Sequence, residues 1–403
     1  MRKLRVGIWL YEDIKPEEGG WYSYYSQLIN KISEYTFKDA EIVFLSDSPT
    51  AYHGKAINIH AIKWDLKKKF RIYSMLKKCC NFFDFGHVRF NNLFKKIREN
   101  ERRLHRELYA VADVIYYPVQ RCKFPSFPYI YTQWDWGHLS MFAFPEVSMN
   151  DKFENRKKWH DYIIQKALFV FTESNAGKQE AIRYLNLNED RIKVVPLFPS
   201  SIIDKKVIPV KPGSIGENLF FIHYPAQYWA HKNHYNLIIA FKEIVKEFPH
   251  LKLILTGSDK GNKSYILSLI KELSLTNNVL DLGFVKSEEL KWIYLNSQGL
   301  VMPTFLGPTN MPLLEAAELQ CPVACSHFKG HVEQLGEYGY YFNPLKPEEI
   351  AAAVRLMISD KQKGLMKKYT GMFNIDNTIK AIDEAFSEIR NIRFCWDSND
   401  NIQ

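Results

Sequence analysis

The chain lacks any uninterrupted apolar stretch of membrane-spanning length, and its first residues run straight into a strand-like segment, Leu4 to Leu10, followed by an acidic loop. A spanning helix, which takes about 20 apolar residues, is therefore not expected, and neither is a secretory leader. Cysteine is sparse. Cys79, Cys80, Cys122, Cys321, Cys325 and Cys395 show no paired C-x-x-C spacing and have no histidine pairs nearby. That argues against a zinc site and suits scattered thiols in a reducing cytoplasm. Internal repeats, low-complexity tracts and Asp-rich metal motifs are also missing, so neither a metal nor a resident cofactor is expected. No zinc-finger or RNP signature supports a nucleic-acid partner.

The 403 residues, 46% of them hydrophobic, suit two domains of about 200 residues each. The net charge of +9 invites an anionic partner. Much of it falls between residues 63 and 106, where Lys67, Lys68, Lys69, Arg71, Lys77 and Lys78 alternate with aromatics such as Trp64, Phe70, Phe82 and Phe83. Two readings stand: solvated helices with core-facing aromatics, or a surface that lies on an anionic membrane.

Strand-like runs recur at Glu41 to Leu45, Ala56 to Ile62, Asp113 to Tyr117, Tyr129 to Thr132, Leu168 to Thr172 and Ile192 to Val195. Helical patterns at Tyr22 to Ser33, Lys152 to Lys166 and Ala176 to Leu185 separate several of them. A proline-rich stretch from Pro196 to Glu217 follows, and then a second alternating series from Leu219 to Ile358. Alternation of this kind implies parallel sheets covered on both faces. The expected α/β architecture is two doubly wound domains with a cleft between them. Residues 1–198 form the first domain, with an insertion at about 63–106. A linker covers 199–217, the second domain 218–373, and a terminal helix and tail 374–403.

Residues 299–326 read strand, loop, helix, strand. Gly307 and Pro308 mark the turn, Thr309 or Asn310 is placed to cap the helix, and Pro312 sits in its first turn. The loop lies at the strand's C-terminal end, where such sheets bind ligands. Glu315 near the helix start leans toward that loop. It either complements the helix dipole or accepts hydrogen bonds from ligand hydroxyls such as those of a ribose.

Three further constellations stand at comparable loops. Gly19-Gly20 precedes a helix and suits either a plain turn or a backbone that approaches a phosphate. Lys232 lies at the mouth of the next helix in His223-Tyr-Pro-Ala-Gln-Tyr-Trp-Ala-His-Lys-Asn-His234, where a lysine and free N–H groups can hold a diphosphate. His231 and His234 in the same stretch have no third ligand at recognisable spacing and read as a polar loop. Asp135 and His138 sit in a loop after a first-domain strand, with a structural and a ligand-contacting reading both open.

Taken in this order, the pieces resemble the retaining glycosyltransferases of GT-B fold, family 4. Pro303-Thr-Phe-Leu-Gly-Pro-Thr-Asn-Met-Pro-Leu-Leu-Glu315 aligns without a gap with the family's Pro-Ser-x-x-Glu-Gly-Phe-Gly-Leu-Pro-x-x-Glu, and Pro322-Val323 follows in place. Asn278 to Val285, Glu333 and Tyr341-Phe342-Asn343-Pro344 also fit. The likeness covers residues 219–357 well and the first domain only at Gly19-Gly20 and Asp135 to His138.

The resemblance implies two Rossmann-like domains facing a central cleft, and a nucleoside-diphosphate sugar as co-substrate. It implies that Glu315 binds the ribose, that Lys232 holds the diphosphate with Asn233 beside it, and that Gly20 and Gly19 form the first-domain phosphate loop. Val285 joins the donor pocket. His138, with Asp135 next to it, faces the transferred sugar. Two departures stand out: the family's first glutamate is Gly307 here, and the arginine before the lysine is Gln227. Both suit a subgroup in which backbone N–H groups of Thr309, Asn310 and Met311 serve the sugar and phosphate.

The expected reaction is metal-independent, retaining transfer through an oxocarbenium-like state, with fixed donors stabilising the departing diphosphate. The expected acceptor is a glycan or polyprenyl-linked sugar of surface polysaccharide assembly, met at the cytoplasmic face of the membrane. Gly307 and Gln227 keep a second reading open, a catalytically silent protein of the same fold that binds nucleotide or glycan.

Overall fold

The computed structural model describes residues 2–14, 20–47, 58–62, 99 and 101–395. Gly19 and nearly all of the basic aromatic segment fall outside that range, as do residues 396–403 of the tail.

The first domain is built on seven parallel strands: β1 (Leu4–Trp9), β2 (Ala40–Ser46), β3 (Ile59–Ala61), β4 (Val114–Tyr117), β5 (Tyr129–Thr132), β6 (Phe169–Thr172) and β7 (Ile192–Val194), in the order β3-β2-β1-β4-β5-β6-β7. Every residue of β4, β5 and β6 is buried, because helices cover both faces of the sheet. This is why those segments read as unbroken apolar runs rather than alternating ones. The second domain carries β8 (Phe221–Pro225), β9 (Lys252–Thr256), β10 (Val279–Gly283), β11 (Leu300–Met302), β12 (Val323–Ser326) and β13 (Gly339–Phe342), all parallel, in the order β10-β9-β8-β11-β12-β13. Element bounds agree with the sequence reading to within one to three residues at most ends. One local expectation fails: Gly137–Ser140 is a short helix, so His138 is helical rather than in an open loop.

In each sheet the strand order reverses once, between β1 and β4 and between β8 and β11. A crevice opens at such a point because the flanking connections leave on opposite faces. The residues after β8 and β11 are therefore the ones that the second sheet presents to a ligand, and those after β1 do the same for the first.

Residues 199–217 connect the domains and lie along the helix Ser287–Asn296, with Lys291 Nζ donating to Asp204 O at 2.6 Å and Val210 N to Glu288 O at 3.0 Å. The last helix, Ile375–Arg393, crosses back onto the first domain. There Phe386 packs against Phe37 at 5.3 Å and Tyr116 at 6.0 Å. Asp376 pairs with Lys31 at 2.6 Å, and Thr378 Oγ1 donates to Pro196 O at 2.7 Å. The linker and the last helix thus both join the two domains.

Asp113, at the start of β4, is fully buried and is clamped by Arg2 (3.0 Å) and Arg5 (3.0 Å), with the Arg5 N–H adding a third bond at 2.9 Å. Burial pushes its carboxyl up, but the hydrogen bonds from Arg5 and Arg2 outweigh it and hold the group below the ordinary carboxylate value. Both arginines remain partly solvated, so Asp113→Ala strands no buried charge. The expected loss is about 2–3 kcal/mol, read as a lowered denaturant midpoint.

Candidate functional site

The chain leaves β8, makes a single 3-10 turn at Ala230–Lys232, and reverses at Asn233 in the left-handed region (φ 56°) before the helix His234–Glu247. Asn233 is buried and fully engaged. Its Nδ2 donates to Pro303 O at 2.9 Å and Pro344 O at 2.8 Å, and its Oδ1 caps Asn236 N at 3.3 Å. It pins the segments that follow β8, β11 and β13 to one another, so its part in the site is to place Lys232.

Lys232 points its ammonium at the Asn310 Oδ1, 3.2 Å away. Burial pulls its pKa down to about 8, against the opposing pull of Asp135 and Glu146 across the cleft. Behind it runs a chain of oriented donors that sequence reasoning did not find. His331 Nδ1 lies 2.8 Å from Ser326 O, so that nitrogen carries the proton, and Nε2 accepts from Asn310 Nδ2 at 2.9 Å. Burial holds His331 to a pKa of about 4, which agrees with this neutral form. Gln334 grips the Asn310 backbone from the same helix, Lys329–Leu335, accepting from its N–H at 2.9 Å and donating to its carbonyl at 3.1 Å. Asn310 therefore presents only its Oδ1 to the lysine.

Two expectations change here. Asn310 was placed to cap the helix Met311–Glu318, yet its side chain makes no capping bond because Lys232 and His331 occupy it. Its backbone N–H was expected to serve a ligand but is taken by Gln334. Among the described residues, no loop or side-chain hydrogen bond engages those of Thr309 and Met311.

Gly307 has φ +99°, a conformation that L side chains rarely adopt, and a Cβ there would sit 3.1 Å from both Asn310 Nδ2 and Thr309 O. The missing carboxylate thus belongs to a different loop shape, and that shape is what sets Asn310 in front of Lys232. At Gly330 a Cβ would overlap Pro308 O at 1.6 Å. Only glycine lets the start of the helix Lys329–Leu335 press on this loop and deliver His331 and Gln334.

The first domain faces these groups across the cleft. A Cβ on Gly20 would lie 3.8 Å from Met311 Sδ, so the starts of the helices Gly20–Glu34 and Met311–Glu318 oppose each other. Helix N-termini and a lysine brought near one another are an arrangement that favours an anion. A Cβ on Gly137 would meet Leu306 at 3.4 Å, which places the loop after β5 against the loop after β11. Asp135 pairs with Arg156 at 2.7 Å and accepts from Gly137 N at 2.9 Å. Burial raises its carboxyl, but Arg156 foremost among its neighbours outweighs this and leaves it lowered. His138 is fully buried. Its ring meets His160 edge-on at 4.4 Å, and neither ring nitrogen has a hydrogen-bond partner. Burial, with Arg156 second, holds it to a pKa of about 4. Asp135 and Gly137 line the cleft beside Gly307, and His138 is not among the lining residues.

Glu315 is 6% exposed and already bonded: Ser200 in the linker and Tyr294 (2.8 Å) both donate to its carboxylate. Burial raises its pKa against those two bonds. The residue sits at the back of the cleft, tied to the linker, instead of projecting freely at the loop. Gln227 spends its Oε1 on Trp229 Nε1 at 3.0 Å. Val285 packs against a small apolar cluster around Ile293. His231 pairs with Glu146 of the first domain, and His234 stacks on Tyr228 at 4.5 Å. Among the described residues, no group of three or more His, Cys, Asp or Glu is placed to hold a metal ion, and no helix is long and apolar enough to cross a membrane.

Glu333, which lies between His331 and Gln334 and faces outward, ties the two domains together. Its carboxylate accepts from Asn175 N at 2.8 Å, Asn175 Nδ2 at 2.9 Å and Ala176 N at 3.0 Å, capping a first-domain helix with a second-domain acid. Beneath the same helix, Glu173 is buried with Oε2 unpartnered, and burial pushes its carboxyl well above its ordinary value of 4.5. A carboxyl raised on folding stabilises below its unfolded pKa and loses that contribution as pH rises. Glu173 should therefore cost the protein about 1.4 kcal/mol per pH unit above that value until it ionises. Glu173→Gln is expected to unfold like the parent near pH 4.5 and to be the more stable of the two at pH 8, as denaturant melts at both pH values will read.

Comparison with known proteins places these features in a wider set. Residues 208–371 match the family described as Glycosyl transferases group 1. The O-antigen chain mannosyltransferase B of Escherichia coli is 26% identical over 231 residues, which is 55% of this chain and 60% of that protein. An uncharacterized glycosyltransferase of Methanocaldococcus jannaschii is 26% identical over 200 residues, 47% of this chain and 51% of its own length. The chain thus matches little more than half the length of these curated relatives. Among solved structures, a glycosyltransferase of Rickettsia africae superimposes with a TM-score of 0.63 at 16% identity, covering 96% of this chain and 99% of that one. HepE of Anabaena gives 0.59 at 16% identity, covering 96% and 100%. At such identities the likeness is one of fold. Residues 208–371 thus resemble a group 1 glycosyl transferase domain, and the described residues adopt the GT-B fold of two Rossmann-like domains around a cleft.

Proposed function

We propose that this protein is a family 4, retaining, metal-independent glycosyltransferase that moves a sugar from a nucleoside-diphosphate sugar to a glycan or lipid-linked acceptor in surface polysaccharide assembly, at the cytoplasmic face of a membrane. The observation that carries the reading is the convergence of Lys232, oriented by Asn310, with the opposed helix starts at Gly20 and Met311. Such fixed donors stabilise charge that develops only as the bond from the anomeric carbon to phosphate breaks. Glu315, fixed by Ser200 and Tyr294, is assigned to the donor ribose, whose hydroxyls would compete for the same carboxylate. Two Escherichia coli relatives, one named as an O-antigen chain mannosyltransferase and one as a serotype-specific mannosyltransferase, make mannose nucleotides the first donors to try.

The test is a panel of radiolabelled sugar nucleotides, incubated with the protein and scored for slow hydrolysis. One donor is expected to be cleaved to its nucleoside diphosphate; a panel left wholly intact sinks the proposal. The silent alternative draws on Gln227 and Gly307. The positive φ at Gly307 weakens it, because glycine there is required by the loop itself.

A further inference from the structure

Two pockets lie side by side along the cleft, and Phe305 at the start of the loop 305–308 lines both. The first, about 480 Å³, runs from Asp135, Gly137 and Gly307 outward to Glu180 and Arg183 of the helix Asn175–Leu185. The second, also about 480 Å³, is edged by His327, Tyr341, Asn343 and Leu345. Met141, Phe305 and Phe328 belong to both. From the continuity of these pockets we infer that they form one acceptor groove for an oligosaccharide of at least two sugar units, with Glu180 binding a hydroxyl of the proximal sugar and the His327–Tyr341 wall holding the next. This rests on the transferase reading and specifies its acceptor.

Position supplies the first argument. Lys232 and the two opposed helix starts mark the phosphate side of the Gly307 loop, and the first pocket opens from Gly307 itself on the way out of the cleft. A sugar freed from its diphosphate there is exposed toward Glu180. The lining supplies the second argument. Sugars present C–H faces to aromatic rings and hydroxyls to carboxylates and amides, and this groove alternates the two. Phe305 stacks on Phe144 at 5.6 Å, and His327 lies 5.5 Å from Tyr341. Among the described residues no hydrogen bond or ion pair engages Glu180. Burial and then Asp135 push its carboxyl up to about 7, so near neutrality it exchanges acceptor and donor roles with a hydroxyl. An acyl chain would leave such a carboxyl without a partner. Each pocket alone lies within the roughly 300–1,000 Å³ usual for ligand sites, and the pair together has room for a longer ligand.

The experiment is calorimetric titration of the full chain, with a nucleoside diphosphate present, using octyl glycosides of mannose, glucose, galactose and N-acetylglucosamine and of their disaccharides. At least one disaccharide should bind tenfold or more tightly than its monosaccharide. Glu180→Ala should weaken both by about tenfold, and His327→Ala only the disaccharide, a split that a folding defect would not give. Equal affinity for every mono- and disaccharide pair, no binding at all, or variants that bind like the parent overturn the groove. Donor hydrolysis is followed in a separate tube without acceptor; its absence from the wild type overturns the transferase reading and leaves the binding result to be judged on its own.

Discussion

Lys232→Ala is expected to lower the rate of sugar transfer by about 10²–10³-fold, with no change in thermal midpoint beyond what loss of one partly buried lysine brings. The lysine is held by Asn310, which is held in turn by His331 and Gln334, so its ammonium is already aimed before the donor arrives. A donor that needs no reorganisation acts mainly on the transition state, so kcat should fall more than donor KM rises. A pH profile separates charge from shape. With a pKa drawn down to about 8 by burial, the free protein loses the ammonium as pH rises, and kcat/KM for the donor should fall about tenfold per unit above that point. Lys232→Arg retains charge throughout and should abolish this basic limb even where it lowers the maximum. A limb that survives in the arginine variant would assign it to another group.

Gly307→Glu is the second large effect, and its direction is the informative part. If the chain has simply lost a catalytic carboxylate, restoring one should raise activity. The backbone predicts the opposite. A side chain at φ +99° is strained by about 1–3 kcal/mol, and its Cβ would press within 3.1 Å of Asn310 Nδ2. Asn310 would then leave His331 and release Lys232. We expect kcat/KM to fall by about 10–10²-fold, with Gly307→Ala showing much of the same loss. An activity gain in Gly307→Glu would favour the silent reading for the parent protein.

The architecture was open to sequence reasoning because both domains use parallel strands buried on two faces, and continuous apolar runs separated by amphipathic helices mark such sheets. Lys232 and Gly307 were also legible, since both stand in loops that directly follow strands of the second sheet. The support around them was not. His331 and Gln334 come from a helix 20 residues or more downstream in sequence, and nothing in local spacing says that Gly330 lets that helix touch Pro308; Glu333 on the same helix fits the family pattern, but its bonds to Asn175 and Ala176 exist only in the folded chain. Asn310 looked like a helix cap because its position is that of a cap; a tertiary partner took its side chain. His138 looked accessible because it follows a strand end, yet a short helix turns its ring against His160. Ser200 and Tyr294 reach Glu315 from the linker and from another helix, contacts that only the folded chain brings together.

The central claim is that the crevice between Gly20, Met311 and Lys232 binds a nucleoside diphosphate through its terminal phosphate. Calorimetric titration of each nucleoside diphosphate against its monophosphate, in the wild type and in Lys232→Ala, tests this most directly. For at least one base the wild type should prefer the diphosphate by tenfold or more, and the preference should vanish in the variant. Equal affinity for di- and monophosphate in the wild type, or a preference that persists without the lysine, would contradict it.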